Sequence, residues 1–306
     1  MAISSVRWNP TRTKGTGVPL GYVKKRPISE DDAFRLEVET FNSGSWLDAK
    51  RHLLATSADV VFLQEHKLFE EKLAEASAWA IGKGWKTLFI PAVAGPAGCP
   101  SGGCAIAARE HFGLSYPPGK DSALVVAGRL AAALVEVPGC VFVGYAGYFR
   151  HGEWLSESNV GILSALGQHV REHGHPCVAG ADFNMPPTTL AEANLIDGFD
   201  SLIVHSADAC GTFTHAKGTS LIDFFVISKG LSMGIAEVYA DMEAHATPHR
   251  PVKVRFHPKL SRVQVLTLVK PDKLPTTAVF GPRPPPPATC RADVAIAAAL
   301  AAADFE

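Results

Sequence analysis

The 306-residue sequence predicts an α/β chain in which two packed β-sheets are flanked by helices. Three observations lead there. Short apolar runs such as Val60-Val-Phe-Leu63 have the length and the β-branched, aromatic content of strands buried on both faces. Several strands follow one another directly, as in the two runs joined by Pro138-Gly139, which excludes a doubly wound parallel sheet. Hydrophobic residues make up 47% of the chain, enough for a sizeable core and too many for a disordered or fibrous protein.

The elements follow in order. Leu36-Glu-Val-Glu-Thr-Phe41 alternates and predicts a strand, and 46–56 has the period of an amphipathic helix. A buried strand at 59–63, a helix at 70–81 and strands at 87–90 and 103–108 come next. Residues 130–137 and 141–143 form a hairpin, and 154–170 is the best helix, its end marked by His173-Gly174. Strands at Val178, 221–227, 235–239 and 252–256 close the series. Residues 35–260 are therefore expected as one domain, preceded by a basic arm over 1–34. A Pro-rich linker containing Gly281-Pro-Arg-Pro-Pro-Pro-Pro287 and a short Ala-rich helical tail follow over 261–306. No internal repeat is present.

The formal charge of −1, from 29 Lys+Arg and 30 Asp+Glu, excludes a protein that coats nucleic acid by bulk positive charge. That average hides an uneven spread. Residues 1–28 and 246–275 are basic, whereas 29–245 holds 14 basic residues against 26 acidic ones, a balance of −12. The flanks are expected to face phosphates, with Arg250 as a substrate-binding residue and Lys253 beside it. Six cysteines are too sparse for a disulfide scaffold. The N-terminus lacks a signal-peptide run, and the longest charge-free apolar stretch, 294–303, is too short to cross a bilayer. An intracellular protein without a membrane partner is the expectation.

Polar residues recur where predicted buried strands stop. Asn42 follows the first, Glu65 follows Val60-Val-Phe-Leu-Gln64, and Asp182 and Asn184 follow Cys177-Val-Ala-Gly-Ala181. Asp223 is expected inside the strand Leu221-Ile-Asp-Phe-Phe-Val-Ile227. A strand end holds a side chain at the mouth of a rigid scaffold, and oxygen ligands of this kind suit a hard cation such as Mg²⁺ together with substrate phosphate. Each such residue taken singly is more often a turn or cap residue. His249 is the best candidate acid/base, because an Asp in a neighbouring strand can fix its tautomer. His66 points away from Glu65, one residue along the strand. His173 and His175 surround a helix end and read as surface or C-cap residues.

Leu63-Gln64-Glu65, Gly180-Ala-Asp182-Phe-Asn184, Ser220-Leu-Ile-Asp223-Phe and Pro248-His249-Arg-Pro-Val252, in that order, resemble the endonuclease/exonuclease/phosphatase superfamily. Its members include deoxyribonuclease, abasic-site endonucleases, inositol polyphosphate phosphatases and the endonuclease domains of LINE-type retrotransposons. The likeness runs from about residue 36 to about 258. It implies a four-layer α/β sandwich with the active site at one edge of the two sheets, and metal-assisted phosphodiester hydrolysis. Glu65 would hold Mg²⁺, or Mn²⁺ in its place, with Asn42 in the metal shell. Asp182 would orient or deprotonate the attacking water, Asn184 would bind the phosphoryl oxygens, and His249, held by Asp223, would stabilise developing charge.

The superfamily also places a tyrosine near the scissile phosphate. Tyr145 and Tyr148 are the candidates; three residues apart on one strand, they face opposite ways, and Tyr148 is preferred because a turn-like Arg150-His-Gly152 follows it. Two positions depart from the pattern: Thr247-Pro248-His249 stands where Ser-Asp-His is usual, removing an acid near the metal, and Ala181 precedes Asp182. The inositol phosphatase motif is missing, and the abasic-site signatures are altered. The Ser-x-Ile-Asp-Phe strand and the Pro-rich continuation are most similar to LINE-type endonucleases, which implies DNA as partner and the nucleus as the place of action. Ending at Glu306, the chain is then expected to be an isolated or truncated endonuclease domain.

Overall fold

A computed structural model describes residues 35–95, 98–206, 211–244 and 247–257. The expected basic arm 1–34 and the tail 261–306 with its Ala-rich helix lie outside the described residues. The first half runs β1 (Leu36–Asn42), α1 (Trp46–Ala55), β2 (Val60–Gln64), α2 (Glu70–Ile81), β3 (Trp85–Ile90), β4 (Val93–Ala94), β5 (Pro100–Ser101) and β6 (Cys104–Arg109). Then come β7 (Gly113–Ser115), β8 (Leu124–Val126), β9 (Leu130–Val137), β10 (Cys140–Tyr148), α3 (Glu157–His173), β11 (Cys177–Asp182), α4 (Pro187–Glu192) and β12 (Ser201–Val204). The series closes with β13 (Phe213–His215), β14 (Gly218–Ser220), β15 (Asp223–Ser228), α5 (Lys229–Ser232), β16 (Ile235–Ala240) and β17 (Val252–Phe256).

Two mixed sheets carry the fold. One has the order β16-β17-β1-β2-β6-β3, and the other β12-β15-β11-β10-β9-β7 with β8 on β9. Strand side chains alternate between faces, so each sheet has an inward and an outward set. The inward sets, among them Val38, Val60, Phe62, Ile106, Val135, Val178, Phe225 and Val254, form the core between the sheets. Outward residues of the first sheet (Phe41, Val61, Leu63, Ala105) pack on Ala49 and Leu53 of α1 and Ala80 of α2. Those of the second (Val143, Tyr145, Ala179) pack on Ile162, Leu163 and Leu166 of α3 and Leu190 of α4. Three cores between four layers make the expected four-layer α/β sandwich, and the double burial explains why the central strands read as continuous apolar runs.

The two sheets approach closely at Gly180. A Cβ there would meet Phe62 Cδ2 and Thr40 Cβ at 2.7 Å and Phe225 Cε1 at 2.9 Å. Gly180→Ala is therefore expected to destabilise the fold by about 1–3 kcal/mol through overpacking, read as a lower urea midpoint with an unchanged slope.

Element boundaries shift from the sequence reading, and two of the shifts have a clear local cause. α3 starts at Glu157, three residues after the expected 154, because Ser156 caps it by accepting from Asn159 N, while Trp154 takes φ 43° in the preceding loop. The strand expected over 221–227 begins only at Asp223, since Thr212 Oγ1 accepts from both Ile222 N and Asp223 N and takes up the donors that would start the strand earlier. The strand ahead of Glu65 stops at Gln64, and Glu65 itself turns out at φ 54°. The short pieces β4, β5, β7, β8 and β12 to β14 are too brief for periodicity to register. No helix among the described residues is long and apolar enough to cross a membrane.

Candidate active site

The last inward-facing position of several strands falls at one edge of the sandwich. β1 ends on Asn42 and β11 on Asp182; Tyr148 closes β10 opposite Asp182, and Asp223 opens β15 on Asp182's other side. One row therefore runs Tyr148–Asp182–Asp223 across three neighbouring strands of the second sheet. The first sheet faces it with Asn42, whose Nδ2 donates to Asp182 Oδ2 at 2.8 Å. Two strand-end residues thus tie the sheets together at the site.

Asp182 and Asp223 stand directly opposite in the antiparallel ladder, both 1% exposed. Such like-charged neighbours repel. His249 offsets this: its Nδ1–H donates to Asp223 Oδ2 at 3.1 Å, and its Nε2 lies 3.9 Å from Asp182 Oδ2. The ring reaches this position because His249 bridges to Phe213 and Arg250 N donates to Thr212 O at 2.7 Å. The same Thr212 that delays β15 therefore docks the histidine segment. Burial disfavours the imidazolium, but the Asp223 carboxylate with its hydrogen bond, and then Asp182, outweigh it and raise the His249 pKa. Burial and the Asp223 charge push the Asp182 carboxyl up, against the pull of His249, Asn42 Nδ2 and Asn184 N.

Asn184 and Glu65 both adopt the left-handed conformation, at φ 52° and 54°. Strain of this kind collects at functional sites. Asn184 N donates to Asp182 Oδ1 at 3.0 Å, its Nδ2 donates to Phe149 O at 2.9 Å, and His151 Nδ1 sits 3.0 Å from its Oδ1. Glu65 turns its carboxylate to the Tyr148 hydroxyl; burial and that carboxylate hold the Tyr148 pKa above the ordinary phenol value. Tyr145 faces the other way into the α3 side of the sheet, with its hydroxyl 2.9 Å from His169 Nδ1.

Arg129 is a residue that sequence reasoning missed. It is 8% exposed, its guanidinium carbon lies 4.8 Å from the centre of the Tyr148 ring, and its Nη2 donates to Ser101 Oγ at 2.9 Å. Among the described residues no carboxylate stands within ion-pair distance of it. A buried cation stacked on the Tyr148 ring, with no ion-pair partner among the described residues, can take an anion. The available signal was its place in Gly128-Arg129 just ahead of β9, the strand paired to β10.

The described part of the basic 246–275 stretch, residues 247–257, behaves differently from expectation. Lys253 is buried at 4% exposure, with Nζ 2.9 Å from Asp241 and 3.7 Å from Glu37 and Glu39. Arg255 pairs with Glu37 and Glu237. Both cations satisfy the acids of β1, β16 and the Asp241 turn, so neither faces phosphate. Arg250 lies beside His249, but its Nη1 turns to Met242 Sδ at 3.3 Å.

The donor set fits a hard divalent cation. One carboxylate oxygen each from Asp182 and Asp223 and one ring nitrogen of His249 lie within 4.8 Å of one another. Glu65 adds a further carboxylate. Asn42 Oδ1 accepts from Gly44 N at 3.0 Å and keeps a second lone pair. The buried Gln64 Oε1, next to Glu65, has no hydrogen-bond partner among the described residues.

Solved structures with the same fold include a 3′ phosphatase, NExo from Neisseria bound to a product DNA hairpin, at 20% identity over 72% of this chain and 99% of that one (TM-score 0.53). The AP endonuclease LMAP from Leishmania major matches at 14% identity over 76% and 91% (TM-score 0.57). The endonuclease domain of TRAS1, a telomere-specific non-LTR retrotransposon, matches at 13% identity over 74% and 100% (TM-score 0.57). No curated protein sequence matches significantly. The sequence profile of the Endonuclease/Exonuclease/phosphatase family matches residues 40–241, two thirds of the chain and all of the site except His249 and Arg250. With that match and the geometry above, the chain belongs to the endonuclease/exonuclease/phosphatase family.

Proposed function

We propose that the protein is a Mg²⁺-dependent phosphodiesterase that nicks DNA as part of a retrotransposon-type element. The observation that carries the chemistry is the Asp223–His249–Asp182 array: a buried imidazole held by one carboxylate and aimed toward a second. The retroelement assignment rests on the motif likeness, supported by the fold shared with the TRAS1 domain.

In this reading Glu65 and Asn42 hold the divalent ion, Mg²⁺ or Mn²⁺, which when bound polarises the phosphoryl group and offsets its charge. Asp182 takes the proton of the attacking water; its raised pKa moves it toward the range where a base works near neutral pH. Asn42 Nδ2 and Asn184 N fix that carboxylate's orientation. His249 donates from Nε2 to the oxygen that gains charge, while Asp223 keeps the proton on Nδ1. Asn184 and Tyr148 border the phosphate, and Arg129 binds it. Arg250 reaches the flanking strand once its contact with Met242 is released.

Nicking of supercoiled plasmid in Mg²⁺ tests the reading: activity abolished by EDTA and by Asp182→Asn supports it, and equal nicking by wild type and variant sinks it. Comparing intact with abasic duplex separates the retroelement reading from a repair endonuclease. Arg129→Gln is expected to lower kcat/KM by roughly 10- to 100-fold, the loss of one or two charge-assisted hydrogen bonds, with an unchanged melting temperature distinguishing lost substrate contact from misfolding. Pro248 favours a second reading, an impaired relic. Its carbonyl accepts from Thr214 N at 2.9 Å, so the backbone is held even though the acid is missing. If the natural site is crippled, Pro248→Asp raises the nicking rate by roughly tenfold or more, the size of one added charged interaction; an unchanged rate means the existing carboxylates suffice.

A further inference from the structure

We propose that the C-terminal turn of α3 carries a second metal site, built by His169 and His173, that takes a borderline transition ion such as Zn²⁺, Ni²⁺ or Cu²⁺. The two residues are four apart and share one face of the helix. Their Nε2 atoms lie 3.1 Å apart, with ring centroids at 4.2 Å. Two nitrogens bound tetrahedrally to one ion at Zn–N distances of about 2.0–2.1 Å would stand roughly 3.3 Å apart, so the pair already has near-ligand spacing. Two N–H groups cannot face each other at that distance, so at least one of these nitrogens presents a lone pair.

The surroundings are those of a held ligand. His169 is buried, and its other nitrogen lies 2.9 Å from the Tyr145 hydroxyl, with the two rings edge to face at 86°. An outer-shell bond of this kind fixes the orientation of metal-binding imidazoles. A phenol hydroxyl both donates and accepts. His169 can therefore carry its proton on Nδ1, donate that N–H to the Tyr145 oxygen and free Nε2 for the ion. Tyr145 is fully buried in β10, and Leu166 and Val170 seat this part of α3 on the same sheet, so the framework is rigid. His173 is half-buried, leaving the remaining coordination positions to solvent. Lys120, whose charge acts on both imidazoles, is countered by Glu172 at 3.6 Å. Imidazole nitrogens favour Zn²⁺, Ni²⁺ and Cu²⁺, whereas Mg²⁺ prefers oxygen. This site and the carboxylate-lined edge would thus take different metals, on opposite faces of the second sheet.

The experiment is a calorimetric titration of the untagged full chain with ZnCl₂ in millimolar Mg²⁺, comparing wild type with His173→Ala and Tyr145→Phe. Wild type is expected to take up one more equivalent of Zn²⁺ than H173A. Y145F should keep that equivalent but bind it roughly 10- to 100-fold more weakly, as outer-shell losses do. H173A should nick DNA in Mg²⁺ at the wild-type rate. Equal stoichiometry and affinity in wild type and H173A overturns the site, as does no uptake by wild type at millimolar Zn²⁺. If thermal melting shows H173A unfolded, His173→Asn is read in the same way.

Discussion

Asp182→Asn is expected to reduce phosphodiester cleavage by roughly 10²–10⁴-fold, the contribution of a positioned general base, while the protein melts at the same temperature or higher. Both outcomes come from one feature. Asp182 is buried opposite Asp223, and its carboxyl pKa is raised. A carboxyl whose pKa is higher in the folded than in the unfolded chain destabilises the fold when ionised, so that penalty is present at neutral pH and fades as pH falls through the folded value. Asparagine removes the charge, and its Oδ1 can still accept from Asn42 Nδ2 or Asn184 N. Lost activity with kept or raised stability is the pattern of a site held in place against local preference. Parallel losses of activity and melting temperature would assign Asp182 a structural role.

His249→Ala is expected to cost roughly 10²–10³-fold in kcat, the effect of removing one preorganised donor from a developing oxyanion. Asp223→Asn tests the same array from behind. The Asp223 carboxylate is the main influence raising the imidazole above its ordinary value. An imidazolium so supported persists as pH rises beyond the usual histidine range, and the support is lost when the partner loses its charge. The alkaline limb of the pH–rate profile should therefore shift to lower pH in D223N while kcat at the optimum falls less than in H249A. An unmoved limb would mean that His249 does not set it.

Much of the site was legible because sheet geometry and side-chain period work together. Apolar runs gave the strands, and period 2 places Asn42, Tyr148, Asp182 and Asp223 on inward faces at strand termini, where one edge of the sandwich collects them. The same parity separates Tyr148 from Tyr145. What stayed hidden depended on partners distant in sequence. Lys253 reads as a free basic flank until β17 pairs with β1 and brings Glu39 and Glu37 against it. Arg129 looks like an ordinary strand-leading arginine until β9 sets it over Tyr148. His169 carries no local signal, because Tyr145, which orients it, lies 24 residues earlier on another element. The start of β15 turned on one threonine hydroxyl, which no hydrophobic pattern reports.

Asn159, wholly buried at the first turn of α3, accepts from Arg150 N at 2.8 Å and donates to Arg150 O and Trp154 O at 3.1 and 2.8 Å. It fastens both limbs of the 150–156 loop, which holds the half-exposed Trp154 ring in solvent and, through His151, touches Asn184. Ordering a loop on binding normally consumes part of the interaction energy. Here the ordering is done during folding, so a nucleic-acid strand would meet an aromatic surface already in position. Calorimetry should then find little entropic penalty for complex formation, and Asn159→Ala should weaken association mainly through a less favourable entropy.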